Sequence, residues 1–424
     1  MDNIDFIENL ALDVVDNSII KVIGVGGGGC NAVNYMYKQG IQDVSFLVCN
    51  TDSMALEKMS VPAKLQLGQG LGAGGRPEVA EQFAQESKER IKEALNDGTK
   101  MVFITAGMGG GTGTGASPVV ASIAREMGLL TVGIVTIPFS FEGKRAIRKA
   151  MEGVAKLAQH TDALLIINNE RLKLLFPEFD LPNAFSKSDE VVSNAAKSIA
   201  EIITITGYIN TDFQDVYNTL KDGNVAIMNV GRAGGEKRIT KAIEDALNSP
   251  LVNTTDIRGA HRILLNFYCS REHAVLMQEL EEVEAFYDIV GDNVEIKWGI
   301  AYDEELGEEV KVTLIATGYS VVDIPGLEDA CPSDTDSNTP LKTEGYTNSI
   351  EDSMNAFYGN LSDKENQPAK QEQEEQETEE DTTEETPESN TIVWDANTDF
   401  IDIENLSDEQ QQQVEDIPAW MRRR

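Results

Sequence analysis

Short apolar runs rich in Ile and Val recur along the N-terminal part of the chain, at Ile19 to Ile23, Val44 to Val48, Met101 to Thr105, Leu130 to Ile137 and Ala163 to Ile167. Longer stretches of helical character separate them, and that alternation predicts a parallel sheet with helices on both faces. Sheets of this kind bind ligands beyond the carboxyl ends of their strands. Two glycine-rich turns, Gly24 to Gly29 and Gly107 to Gly115, fall there, together with Asn50-Thr51-Asp52 and Pro138-Phe139.

From Ser188 to Thr206 the residues Val192, Ala195, Ala196, Ile199, Ile202 and Ile203 return at helical spacing, with Gly207 as a stop. This predicts a long buried helix. Strand-like runs follow at Val225 to Val230, Ile263 to Tyr268, Val294 to Ile300 and Val310 to Thr317, with helix-like stretches near Lys241 to Leu247 and His273 to Phe286. They predict a second, smaller α/β domain joined to the first by the helix. The expected divisions are a flexible N-terminus at 1–16, a ligand-binding domain at 17–182, a central helix at 183–207, a second domain at 208–324, a linker at 325–414 and a terminal peptide at 415–424.

Composition sets the linker apart. Residues 331–415 hold 24 acids against 3 bases, too little apolar surface to offset a chain entropy of ~1–2 kcal/mol per residue, so a disordered, self-repelling tether is expected. At its end Asp416-Ile417-Pro418-Ala419-Trp420-Met421 precedes three arginines, Arg422 to Arg424, which reads as a docking peptide.

A net charge of -37 disfavours unspecific attraction to nucleic acid or anionic lipid. An anionic ligand must then be held by local geometry. Cys30, Cys49, Cys269 and Cys331 are scattered, with no C-x-x-C spacing, and His160, His261 and His273 sit apart. Neither a zinc site nor a disulfide framework is suggested, no side-chain metal site is assigned, and a reducing cytoplasm fits. The acidic N-terminus is unlike a signal peptide, and no apolar run reaches membrane-spanning length.

The glycine turns carry the chemistry. A glycine lets backbone approach an anion closely, and the helix that follows aims unpaired N–H groups at it. Gly24, Gly26 and Gly29 with Asp52 also satisfy a dinucleotide fingerprint, which leaves a nicotinamide enzyme or a mere packing turn open. The second turn favours a nucleoside triphosphate gripped from two sides. G-x-x-x-x-G-K-[ST] is missing, so a P-loop enzyme is excluded.

Gly107-Met108-Gly109-Gly110-Gly111-Thr112-Gly113-Thr114-Gly115 resembles the signature loop of the tubulin/FtsZ GTPase family in its bacterial form. Gly24 to Asn31, Asn50-Thr51-Asp52, Gly70 to Gly74, Phe141 to Lys144, Asn210 to Val216 and the terminal Asp416 to Arg422 resemble other segments of that family in the same order. The resemblance implies a Rossmann-like GTPase domain in which Gly27, Gly28, Gly29, Cys30, Asn31, Gly110, Gly111, Thr112 and Gly113 surround the phosphates of GTP or GDP. Glu142 would accept from the ribose, and Asn169 and Asp189 would read the guanine edge. For Asp189 the bland alternative is an ordinary acid in the first turn of the long helix. The family usually has an arginine where this chain has Ala146, between Arg145 and Arg148.

The same resemblance implies that Asn210, Asp212 and Asp215 are catalytic and enter the nucleotide site of the next subunit, so that GTP hydrolysis requires a head-to-tail homopolymer. The alternative is a solvated loop capped by acids. Magnesium is expected on the phosphates. By resemblance, the chain acts in the bacterial cytoplasm at midcell, beneath the inner membrane, in cell division. Its terminal peptide would bind the membrane-tethering actin-like division protein FtsA and other ring regulators, with no nucleic acid and no direct membrane insertion. A GTP-binding filament regulator without hydrolysis remains a rival.

Overall fold

A computed structural model describes residues 18–205, 207–247, 259–290 and 294–319. The expected flexible N-terminus, acidic linker and terminal peptide, with Thr206 and Cys331, lie outside these residues.

Among the described residues ten strands form one sheet. They are β1 (Ile20–Val25), β2 (Val44–Asn50), β3 (Lys64–Gln66), β4 (Met101–Gly107), β5 (Leu130–Ile137), β6 (Ala163–Asn168), β7 (Asn224–Ala233), β8 (Arg262–Cys269), β9 (Glu295–Tyr302) and β10 (Val310–Tyr319). Their spatial order is β3-β2-β1-β4-β5-β6-β7-β10-β8-β9. β1 to β6 pair in parallel, while β10 runs antiparallel to both β7 and β8. The apolar runs read from sequence supply nine of these strands. The three-residue edge strand β3 is too short for such a run.

The helices are α1 (Gly26–Lys38), α2 (Ser53–Glu57), α3 (Pro77–Glu86), α4 (Lys88–Leu95), α5 (Thr112–Glu126), α6 (Lys144–Ala158), α7 (Asn169–Leu175), α8 (Leu181–Thr204), α9 (Phe213–Leu220), α10 (Arg238–Leu247) and α11 (Met277–Val290). Successive strand residues face opposite ways, so Val22 and Phe103 join one core with Val33, Met36, Val192 and Ile199 of α1 and α8. Ile23 and Ile104 join the other, with Ala80, Ile91, Val120, Ile147 and Val154 of α3 to α6. Burial on both faces explains why the strands read as unbroken apolar runs.

α8 has 24 residues, about 36 Å of helix. It begins before the expected Ser188: the Asp180 side chain accepts from Asn183 N at 2.9 Å, and Pro182 occupies the first turn. Asp189 therefore lies in the third turn, and the first-turn alternative does not apply to it.

The second α/β block is not a detached sheet. β7 continues the first half through only two parallel pairs, Ala163 with Asn224 and Leu164 with Val225. Beyond them β6 and β7 part, and a cavity of ≈ 200 Å³ opens, bordered by Ile166, Ile167, Met228 and Val230 with Val191 and Asn194 of α8.

Candidate functional site

The chain leaves β1 outward to β2 and β3, then returns to the opposite side of β1 for β4. Ligands bind in the crevice at such a switch point. Here the two glycine turns follow β1 and β4, and α1 and α5 spring from them. Neither helix has a side-chain cap or an acid in its first turn. Two helix N-termini thus present unpaired N–H groups and partial positive charge to one cleft.

The glycines divide into two kinds. A Cβ on Gly29 would lie 2.2 Å from the Thr105 carbonyl oxygen, and one on Gly113 would lie 2.4 Å from that of Gly107. These positions let both helices start against the backbone of β4. At Gly27 and Gly110 nothing lies within 4 Å, and both are exposed. They form the open lip of the cradle. Gly28, Asn31 and Gly110 line the cleft, while Gly111 packs near Ala73 and Arg76 N. The Thr112 and Thr51 hydroxyls meet at 2.7 Å, and Gly109 N donates to Thr114 Oγ1 at 2.9 Å.

Two side chains near the turns are engaged within the protein. The Cys30 thiol points inward, toward Gly24 O at 3.6 Å and Cys49 O at 3.4 Å. Burial pushes its pKa up to about 12, so only the backbone of Cys30 can serve an anion. Asp52 caps α2, accepting from Ala55 N at 3.2 Å. One oxygen of the acid in the dinucleotide fingerprint is thus taken up by a helix cap.

The far end of the cleft is lined by Pro138, Glu142, Asn169, Phe185, Ser188 and Asp189, within a cavity of ≈ 250 Å³. Phe139 N donates to Glu142 Oε1 at 2.9 Å, and Ser140 donates twice to Glu170, from N at 2.9 Å and Oγ at 3.0 Å. The segment carrying Glu142 is thereby fixed. Ser188 Oγ donates to Asn169 Oδ1 at 2.8 Å, which leaves the Asn169 amide NH2 as donor. Burial pushes the Asp189 carboxyl up to about 7. A donor and an acceptor thus stand together, complementary to guanine O6 and to its N1–H and N2–H.

Sequence reading missed Phe185, Ser188 and Glu170. Phe185 packs edge-on to Phe139 at 5.3 Å and offers an aromatic surface to the cleft. Phe185, Ser188, Asp189 and Val192 form one stripe of α8. That spacing, with the Asp180-Leu181-Pro182 start, was the available signal. Arg145 and Arg148 are exposed on α6.

Asn210, Asp212 and Asp215 do not join this cleft. They lie past the opposite end of α8, about 22 Å of helix beyond Asp189. Their loop is pinned to β9, with Tyr208 N donating to Ile300 O at 2.8 Å and Ile300 N to Ile209 O at 3.0 Å. Asn210 Oδ1 accepts from Gly207 N at 2.6 Å. Asp212 is the N-cap of α9, in a reciprocal box with Asp215, and Lys297 Nζ lies 3.6 Å from Asp215. Asn210 and Asp212 are exposed.

Comparison with known proteins gives concordant matches. The family model described as the GTPase domain of the Tubulin/FtsZ family matches residues 19–176, and the C-terminal domain of the FtsZ family matches 224–320. The cell division protein FtsZ of Porphyromonas gingivalis is 52% identical over 308 residues, covering 72% of this chain and 67% of that protein. That of Pseudomonas putida is 43% identical over 316 residues, covering 72% and 79%. The empty FtsZ dimer structure of M. jannaschii superposes with a TM-score of 0.66 at 39% identity, over 77% of this chain and 95% of that one. CetZ from Methanosaeta thermophila shares the fold, with a TM-score of 0.61 at 18% identity over 82% and 93%.

Proposed function

The chain belongs to the tubulin/FtsZ family, and from that premise we propose that it is a polymerising GTPase of bacterial cell division whose hydrolytic site is shared between two subunits. The observation that carries this reading is the separation just described. The anion cradle and the base-complementary edge share one cleft, and the exposed Asn210 and Asp212, with Asp215, stand at the other end of α8.

The uncapped N-termini of α1 and α5 hold the triphosphate, with backbone N–H groups from Gly27 to Asn31 and from Gly110 to Gly113 as donors. Glu142 takes the ribose, and Asn169 with Asp189 selects guanine. Magnesium would enter on the triphosphate, held by phosphate oxygens and water. Asp212 and Asp215 of the neighbour orient the attacking water, and Asn210 helps place it. Phosphoryl transfer is mostly positioning and charge stabilisation, so a donated loop can complete a site that is otherwise incompetent. Water adds to the γ-phosphorus, the bond to the β-phosphate oxygen breaks, and GDP and phosphate leave.

A nucleotide at one end and its activating loop at the other define a head-to-tail contact that repeats without closing. Among the described residues no helix is long and apolar enough to cross a membrane. In this reading the filament lies in the cytoplasm at midcell, and Asp416 to Arg424 join it to the inner membrane through a tethering partner such as FtsA. GTP hydrolysis measured against protein concentration tests the reading. Turnover per subunit should rise steeply where polymer appears, and a constant rate per subunit down to isolated monomers would overturn it.

A further inference from the structure

A single carboxylate ties the two halves of the sheet together at the end of their short seam. Asp162, the residue before β6, is fully buried. Its Oδ2 accepts from Thr131 N at 2.9 Å. Its Oδ1 accepts from Lys221 Nζ at 2.7 Å and faces Arg125 Nε at 3.8 Å. Arg125, in the last turn of α5, also reaches Asp222 at 3.2 Å and donates to Gln159 O at 3.0 Å. Asn224 N donates to Asp162 O at 3.0 Å, so the main chain closes the same knot.

Lys221 ends α9. Its N–H donates to Tyr217 O at 2.8 Å, and Arg262 Nη1 donates to the carbonyls of Asn218 and Lys221, each at 2.8 Å. α9 is therefore gripped at its C-terminal end, while its N-terminal end is Asp212. The eight residues between span about 12 Å.

Only Asp162 is fully buried, and desolvating its carboxylate offsets much of the attraction to the part-exposed Lys221 and Arg125, so the pair is a poor device for stability alone. The turn it secures is also strained, since Asp222 and Asn224 take φ of 50° and 52° without being glycine. Strain of this kind persists where the surroundings over-determine the backbone. Directional hydrogen bonds at both carboxylate oxygens fix α9 in register with the first half of the sheet, which apolar packing would do less specifically.

We propose that Asp162, acting through Lys221 and with Arg125, is a positioning residue for hydrolysis. It holds α9 from behind and so sets where Asp212 and Asp215 stand inside the neighbouring subunit. The inference rests on the shared-site reading. A loop carried by a short helix is as accurate as the anchor of that helix, and a displacement of about 1 Å can cost on the order of 10²-fold in rate.

The test uses the full chain with Lys221→Met, Lys221→Arg and Asp162→Asn. Three quantities are measured: affinity for a fluorescent GTP analogue, sedimentable polymer mass, and phosphate release per polymerised subunit. Lys221→Met should keep affinity and polymer mass within roughly twofold of wild type while release per polymerised subunit falls about tenfold or more, and Lys221→Arg should recover most of it. Lys221 is part-exposed, at 33% of its side chain, so its variants keep the test readable where Asp162→Asn weakens the fold. The proposal is overturned if Lys221→Met polymer hydrolyses GTP at the wild-type rate, or if its lost turnover merely tracks lost affinity or polymer. Failure of the shared-site reading looks different: Asp212→Ala polymer would then hydrolyse GTP normally.

Discussion

Asp212 and Asp215 cap one helix reciprocally: Asp212 Oδ1 accepts from Asp215 N at 3.0 Å, and Asp215 Oδ2 accepts from Asp212 N at 3.3 Å. Both acids thus have a structural task besides the chemical one proposed, and substitution separates the two. Asparagine caps a helix about as well as aspartate but carries no charge. Asp212→Asn should leave the thermal midpoint unchanged and lower GTP turnover by about 10²-fold or more. Asp212→Ala should lose turnover and also about 1 kcal/mol of stability. Calorimetry beside phosphate release decides, and an asparagine variant with full turnover would reduce both acids to caps.

If Asp189 reads the guanine edge as proposed, nucleotide binding should depend on pH. Burial raises its carboxyl to about 7, and the guanine N1–H and N2–H donors favour the charged form, so its pKa falls on binding. Binding then releases a proton below that value. GTP affinity should climb with pH up to about 7, by at most roughly tenfold per unit, and level off above it. The stability of the nucleotide-free protein has the opposite sign. The folded pKa lies above the ordinary value of about 3.9, so this group's contribution is complete below that value and is lost as pH rises through the folded one. Titrations with GTP between about pH 5.5 and 8 check the slope, and Asp189→Asn should flatten it.

The two kinds of glycine should respond differently to one methyl group. Gly113→Ala forces a Cβ to within 2.4 Å of the Gly107 carbonyl oxygen, and should cost about 1–3 kcal/mol or more of stability. Gly110→Ala meets nothing within 4 Å. It should keep the nucleotide-free thermal midpoint and weaken GTP binding, because the methyl narrows the lip where phosphate oxygens approach. Equal loss of stability in both variants would contradict the division.

In the proposed site Ser188 orients the Asn169 amide. Ser188→Ala removes the hydrogen bond that orients the amide, a loss of about 1 kcal/mol. Competition binding should show GTP losing about fivefold of its preference over ATP, with GTP affinity for the phosphate end retained.

Much of this was legible in the sequence, and the reasons are local. Val22, Phe103 and Ile134 are buried beside oppositely facing neighbours, so each parallel strand announces itself as an apolar run. The glycine turns stand out because a Cβ at Gly29 or Gly113 would strike the backbone of β4. Phe185 and Ser188 were less legible: α8 begins seven residues before Ser188, and its first turns face the cleft instead of the core, so the apolar period is weak there. α9 has only eight residues, and its capping acids read equally well as chemistry. The inward turn of Cys30 depends on β2, which is distant in sequence. The knot around Asp162 gathers residues from α5, β5 and the α9–β7 turn, and a linear pattern does not record such a meeting.

Two rungs, Ala163 with Asn224 and Leu164 with Val225, are all that the β6–β7 ladder provides between the halves of the sheet. Apolar packing supplies what the ladder does not: Ile227, Ile263 and Leu314 beyond the seam sit in the same buried cluster as Ile23 and Ile104. Load crossing that line is carried by side chains and by the Asp162 knot, with little help from main-chain hydrogen bonds.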